Sequence, residues 1–122
     1  MVTIRVKNLR LRTYIGFNDE EVKKRQDVVI NIVFSYKADE AAETDDVKYA
    51  VNYRTITKKV IRFVEDGRFM LLERLAADVL ELVMENPLIV RAEVEVDKPH
   101  ALRFSDSVSA SVRQERSGKA HA

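Results

Sequence analysis

The chain has 122 residues, with 21 Lys and Arg against 20 Asp and Glu, a formal net charge of +1, two His and no Cys. A domain of this size buries roughly two-thirds of the surface its unfolded chain exposes, so it needs no staple, and the absence of Cys excludes disulfide scaffolds and zinc fingers. His100 and His121 alone cannot furnish a Cys/His metal site of three or four ligands in one chain, so no metal and no cofactor are expected.

A charge of +1 leaves no basic excess for a phosphate backbone, which argues against nucleic acid as a partner. No apolar run approaches the roughly 20 residues of a membrane span, and Met1-Val2-Thr3-Ile4-Arg5 lacks the layout of a signal peptide. The expected compartment is the cytoplasm, with no membrane partner.

In chain order, Ile4 and Val6 alternate with Thr3, Arg5 and Lys7, while Leu9 and Leu11 fall on the opposite parity. A strand with a bulge near Lys7-Asn8 reconciles the two phases. Beyond Gly16 and a polar loop, Val28, Ile30, Ile32, Phe34 and Tyr36 alternate through a second strand, expected to pair with the first as an antiparallel hairpin. An acidic connection follows from Asp39 to Asp46, after which the period changes to about 3.6 residues. Ile56, Val60, Phe63 and Val64 form the apolar face of a helix, and Gly67 suits a left-handed residue at its end. A second helix is predicted from about Leu71 to Glu85, before Pro87, with Leu72, Leu75, Val79, Leu82 and Val83 facing inward.

Alternation then returns in Val90, Ala92, Val94 and Val96, and again in Val108, Ala110 and Val112. The order strand-strand-helix-helix-strand-strand predicts an α+β domain over 1–115, with both helices on one face of a four-stranded antiparallel sheet. Its other face is polar and its two edges are open, a geometry that invites capping by another subunit. The polar stretch from Gln114, and 116–122 in particular, reads as a disordered tail.

Two positions stand apart from this pattern. Glu73 heads a second stripe of the second helix, with Ala76, Ala77, Leu80 and Met84, where a carboxylate is costly unless it meets donors. The alternative is that it complements the positive end of the helix dipole. Lys98 shares the inward parity of Val90 to Val96, so its stem reaches the rim of the core. Desolvation there would lower its pKa into a range useful for proton transfer, or the side chain snorkels before Pro99.

Four segments carry a resemblance: Ile15-Gly16-Phe17-Asn18-Asp19-Glu20-Glu21, Val51-Asn52-Tyr53-Arg54-Thr55, Leu72-Glu73-Arg74-Leu75-Ala76 and Asp97-Lys98-Pro99-His100-Ala101-Leu102-Arg103. In this order and spacing they resemble the dihydroneopterin aldolase family over nearly the whole chain. Residues 7–13 and 100–109 are most similar to the branch of that family that epimerises the side chain of a dihydropterin triphosphate.

The resemblance implies a tunnelling fold. Four subunits close their sheets into a barrel lined by the polar face, and two such rings stack into a homo-octamer with sites between subunits. It implies a small dihydropterin substrate and a metal-free reaction. Glu73, with Leu72 beside it, matches the pterin anchor, whose carboxylate takes two N–H groups of the ring. Lys98 matches the catalytic lysine, Glu21 the acid beside the substrate side chain, and Tyr53 a tyrosine contributed by a neighbouring subunit. Without the resemblance Glu21 reads as a solvated loop acid beside Glu20 and Lys23, and Tyr53 as an aromatic packing the start of a helix.

Arg103, Arg12 and His100 are the candidates for holding a triphosphate, with plain surface charge the alternative for Arg12. His100 stands where the family usually has glycine, and Phe17-Asn18-Asp19 replaces an aromatic-rich loop. Both departures favour epimerisation with weak aldolase activity, against the alternative of an aldolase proper. A non-catalytic pterin-binding scaffold would keep Glu73 but not need Lys98. An RNA-binding sheet is disfavoured because no aromatic sheet motif with flanking arginines is present.

Overall fold

The structure is a computed structural model, and it describes residues 1–116. Strand β1 (Val2–Ile15) and strand β2 (Gln26–Tyr36) form the expected antiparallel hairpin, whose register slips between Val6 and Leu9. The slip is the predicted bulge. Asn8 takes the left-handed conformation (φ 54°) there, and its backbone N–H donates to Asn31 Oδ1 at 2.8 Å, so the extra residue leaves no orphaned donor.

The acidic connection is not irregular throughout: Asp39–Thr44 forms a short helix, α1. Glu40, Ala41 and Ala42 favour helix, Thr44 Oγ1 donates back to the Glu40 carbonyl, and Asp45 ends the helix at φ 55°. Helix α2 (Tyr53–Glu65) starts at Asn52, whose side chain accepts from the N–H groups of Arg54 and Thr55. Its buried face is Ile56, Val60 and Val64, as the spacing predicts.

Gly67 is not the left-handed residue expected of it, since Gly16 is the only glycine with positive φ among the described residues. Its role is space: a Cβ at Gly67 would meet the Phe69 ring at 2.6 Å and the Phe63 carbonyl at 3.0 Å. The tight passage leads into a two-residue strand, β3 (Arg68–Phe69), parallel to the end of β1. The sheet therefore has five strands in the order β3-β1-β2-β4-β5 and not four.

Helix α3 (Leu72–Met84) buries Leu75, Ala76, Val79, Leu80, Val83 and Met84. Strands β4 (Ile89–Pro99) and β5 (Ser107–Glu115) complete the sheet. Helix α2 lies along β1 and α3 along β4 and β5, both on one face, where Phe34, Ile30, Ile32, Val94 and Val96 are fully covered. Each such side chain is worth about 1.5–3 kcal/mol of burial.

The opposite face carries Arg5, Arg91, Glu93 and Arg113 around a depression of about 610 Å³. Among the described residues β5 has no strand on its outer side, and β1 has one only at Tyr14–Ile15. The polar stretch from Gln114 begins inside β5. Gln114 and Glu115 pair with β4, and the Arg116 guanidinium donates to the carbonyls of Met84, Asn86 and Ile89, covering the last turn of α3. The remainder of the expected tail, 117–122, with His121, lies outside the described residues. Among the described residues no helix is long and apolar enough to cross a membrane.

Candidate active site

One end of the sheet gathers the ends of β1 and β4, the starts of β2 and β5, and β3. β1 leaves it through Gly16, whose N–H donates to the Phe69 carbonyl at 2.9 Å. Gly16 sits at φ 125°, a conformation side chains rarely adopt, and a Cβ there would overlap the Glu21 carboxylate. Glycine at this position is what lets Glu21 fold back against the chain.

Asn18 and Glu21 complete the turn reciprocally. The Glu21 N–H donates to Asn18 Oδ1 at 2.8 Å, and the Asn18 N–H points at Glu21 Oε1 at 3.5 Å. Gln26 Nε2, donating to the Ile15 carbonyl at 2.6 Å, ties the start of β2 across the loop.

The other Glu21 oxygen accepts from Lys98 Nζ on β4. The two side chains are 20% and 12% exposed, so the pair is largely screened from water. Lys98 has the inward parity expected of it, and its ammonium has found a carboxylate at the rim of the core. The Lys98 hydrogen bond holds the Glu21 carboxyl below its ordinary value of 4.5; burial opposes this, while the Asn18 N–H, the Lys98 charge and the Gln26 amide assist. The result is a carboxylate kept ionised next to a lysine donor.

Leu72 and Glu73 form the first turn of α3, three and four residues beyond Phe69, and are thereby brought to the same end. Ala76, Leu80 and Met84 of the Glu73 stripe are buried, but Glu73 itself is exposed. Within one chain Glu73 is not desolvated, because its stripe ends at the open N-terminus of the helix, where the carboxylate stands in the first turn.

His100 follows β4 in the left-handed conformation (φ 63°), which explains the strain-free fit of a glycine there. It lines a hollow of about 310 Å³ with Arg10, Arg12, Asp27 and Pro99. Arg12 is held by Asp27 at 3.2 Å and by the Arg25 carbonyl at 3.2 Å. Arg103, over the Phe104 ring at 5.6 Å, belongs to the exposed connection between β4 and β5.

Tyr53 is the candidate that one chain does not bring to this end. It opens α2, whose other end is fastened here: Thr13 Oγ1, fully buried, donates to the Val64 carbonyl at 2.5 Å. At 1.5 Å per residue the helix axis carries Tyr53 roughly 16 Å from Val64, where the residue is 52% exposed.

Three further contributors were not singled out in the sequence: Gly16, Asn18 and Gln26. Gly16 acts through its positive φ and Gln26 through a side-chain bond to the Ile15 carbonyl, both set only after folding, whereas the Asn18-x-x-Glu21 spacing is the one signal that could have found Asn18. Among the described residues no group of three or more His, Cys, Asp or Glu converges as a metal site.

Residues 4–113 match the dihydroneopterin aldolase (FolB) family. The dihydroneopterin triphosphate 2'-epimerase of Pseudomonas aeruginosa is 57% identical over 116 residues, covering 95% of this chain and 94% of that protein. The enzyme of the same description from Escherichia coli K12 is 52% identical over 113 residues, covering 93% and 94%. The crystal structure of Escherichia coli dihydroneopterin aldolase in complex with neopterin superposes with a TM-score of 0.88 at 29% identity, covering 93% of this chain and 99% of that one. With the order of elements, the Glu21–Lys98 pair and a family match over nearly its full length in agreement, the chain belongs to the dihydroneopterin aldolase family.

Proposed function

We propose that the protein is a dihydroneopterin triphosphate 2'-epimerase, converting 7,8-dihydroneopterin triphosphate to its 2'-epimer, 7,8-dihydromonapterin triphosphate, with weak aldolase activity. The observation that carries this reading is the Glu21–Lys98 pair at the end of the sheet where Glu73 also emerges. The relatives of 57% and 52% identity bear the epimerase name, and the superposable aldolase binds neopterin.

The chemistry asks little of the protein. A retro-aldol step needs an electron sink beside the breaking bond, usually a lysine Schiff base or a metal ion. A 7,8-dihydropterin carries its own C=N bond next to C1'. Removal of the 2'-hydroxyl proton breaks C1'–C2', the electron pair moves through C6 to N5, which takes a proton, and an enamine and an aldehyde remain. Re-addition of C1' to the other face of the aldehyde returns both protons and inverts C2'; escape of the aldehyde gives the aldolase products.

Lys98 manages these protons, with Glu21, held ionised, as its partner. Glu73 anchors the pterin through two charge-assisted hydrogen bonds, and Leu72 packs beside it. Tyr53 completes the site from a neighbouring copy, in keeping with its place at the far end of α2. That division, the open edges and the polar sheet face support a homo-octamer of two tetrameric rings.

The test is incubation with 7,8-dihydroneopterin triphosphate, without added metal, and chromatographic separation of the 2'-epimer from 6-hydroxymethyl product. The epimer is expected to dominate. A predominance of hydroxymethyl product makes the protein an aldolase, and unchanged turnover in Lys98→Ala removes the mechanism.

A further inference from the structure

The sequence directs attention to Arg12, Arg103 and His100 as phosphate cations. The fold gathers a different set. Tyr14, at the end of β1, lies beneath the Arg68 guanidinium, 3.9 Å from the ring centroid, and the Arg25 guanidinium lies 5.6 Å from the same centroid. Arg68 is the β3 residue paired with Tyr14, so strand pairing sets it on the ring. Arg25 and Arg12 are interlocked through each other's backbone: Arg12 donates to the Arg25 carbonyl at 3.2 Å and Arg25 to the Arg12 carbonyl at 3.5 Å. Arg25 and Arg68 therefore share one aromatic ring at the end of β1, and Arg12 is tied to Arg25 through backbone carbonyls.

Their charge is poorly compensated. Among the described residues neither Arg25 nor Arg68 has a carboxylate partner, and the Arg12–Asp27 pair is exposed on both sides, where such pairs contribute little. Apart from these carbonyl contacts and one from Arg68 to the Val22 carbonyl at 3.4 Å, most of their N–H groups are free to meet a ligand. Lys23 and Lys24 add charge from the same turn. The planar donors of the arginine forks match phosphate oxygens two at a time, and stacking on the Tyr14 ring limits the freedom of Arg68 in particular. The cluster is contiguous with the chemistry, because Val22 and Arg25 belong to the turn that carries Glu21.

We infer that Arg25 and Arg68, over the Tyr14 ring, with Arg12 bonded to the Arg25 backbone, form the polyphosphate site of this protein, holding the triphosphate of the aldehyde fragment while it turns over. The assignment rests on the epimerase reading for its substrate but not for the anion site itself. Retaining the fragment is what separates epimerisation from cleavage, so these arginines also bias the products.

Two measurements on the full chain test it. The first is the ratio of kcat/KM for dihydroneopterin triphosphate to that for unphosphorylated dihydroneopterin, in Arg25→Gln, Arg68→Gln and the double variant. Each substitution is expected to lower the ratio on the order of 10- to 100-fold, the worth of a hydrogen bond to a charged group. An unchanged ratio overturns the inference. The second is calorimetric titration with inorganic tripolyphosphate, in which the wild type binds, the double variant loses binding, and added salt weakens binding by the wild type.

A wild type that turns over neither pterin but binds tripolyphosphate through these arginines leaves the site standing and removes the epimerase reading. A wild type that turns over the triphosphate but gives no heat difference between the forms removes the site alone. Should the double variant fail to fold, Arg25→Gln alone decides, since that side chain is exposed and its one hydrogen bond is long.

Discussion

Replacing Gly16 by Ala tests the link between backbone conformation and catalysis most directly. The residue has φ 125°, and a Cβ would occupy the place of the Glu21 carboxylate. Holding a side-chain-bearing residue in so sparsely populated a region costs about 1–3 kcal/mol. The overlap is relieved in the cheapest way by swinging the flexible Glu21 side chain out, at the loss of its charge-assisted hydrogen bond from Lys98, about 1.5–3 kcal/mol. Core packing is untouched, so the variant should fold.

The strain alone lowers Tm by roughly 4–12 °C at fixed protein concentration, at roughly 4 °C per kcal/mol for this length. Turnover, which needs the pair assembled, should fall by about 10²-fold or more. A readout independent of turnover is the Glu21 carboxyl titration by NMR, which should rise towards 4.5 once Lys98 is lost.

The sign for stability follows from the same shift. A carboxyl lowered in the folded state contributes stability that is complete above its unfolded value near 4.5 and disappears as pH falls through its lower folded value. The share of the wild-type advantage that comes from the ion pair should therefore vanish in strong acid, leaving the backbone strain. Gly67→Ala is the control, because it also meets close neighbours but acts on Phe69 and Phe63 rather than on Glu21. If Gly16→Ala retains turnover, or loses it only as far as Gly67→Ala does at matched Tm, the reasoning is refuted.

If Tyr53 serves the Lys98 of a neighbouring copy, as proposed, mixing Lys98→Ala with Tyr53→Phe subunits after dissociation and reassembly should restore turnover above that of either parent; no recovery places both residues in one chain's site. Glu73→Gln should weaken binding of a pterin ligand by roughly 10-fold or more with little change in Tm, since the side chain is exposed in the chain; equal losses would make Glu73 a helix-end charge only. Thr13→Val removes a buried donor from the Val64 and Gly67 carbonyls and should cost about 1–3 kcal/mol in urea unfolding, with an unaltered slope. A cost under a few tenths would show that the Gly67 N–H already satisfies Val64.

What the sequence determined by itself is what periodicity can encode. A period of two in Val28 to Tyr36 and Val90 to Val96, and one near 3.6 in Ile56 to Val64, specify which face is apolar, and burial follows from that face. The bulge was legible too, because a one-residue slip reverses parity and Leu9 and Leu11 display the reversal. Short elements left no such trace: β3 is two residues long, and its pairing depends on the close approach at Gly67. The candidate site was legible as a set of names through its motifs, but not as a geometry.

Only the tertiary structure decided that Lys98 meets Glu21 across 77 positions of chain, that Glu73 stands exposed, and that Tyr53 lies at the other end of its helix. It also decided that Arg25 and Arg68, far apart in sequence, share one ring. The physical reason is the range of the interactions. Local propensity and amphipathic period act over a few residues, whereas an ion pair at a sheet end depends on register, on a positive-φ glycine and on where a distant strand stops.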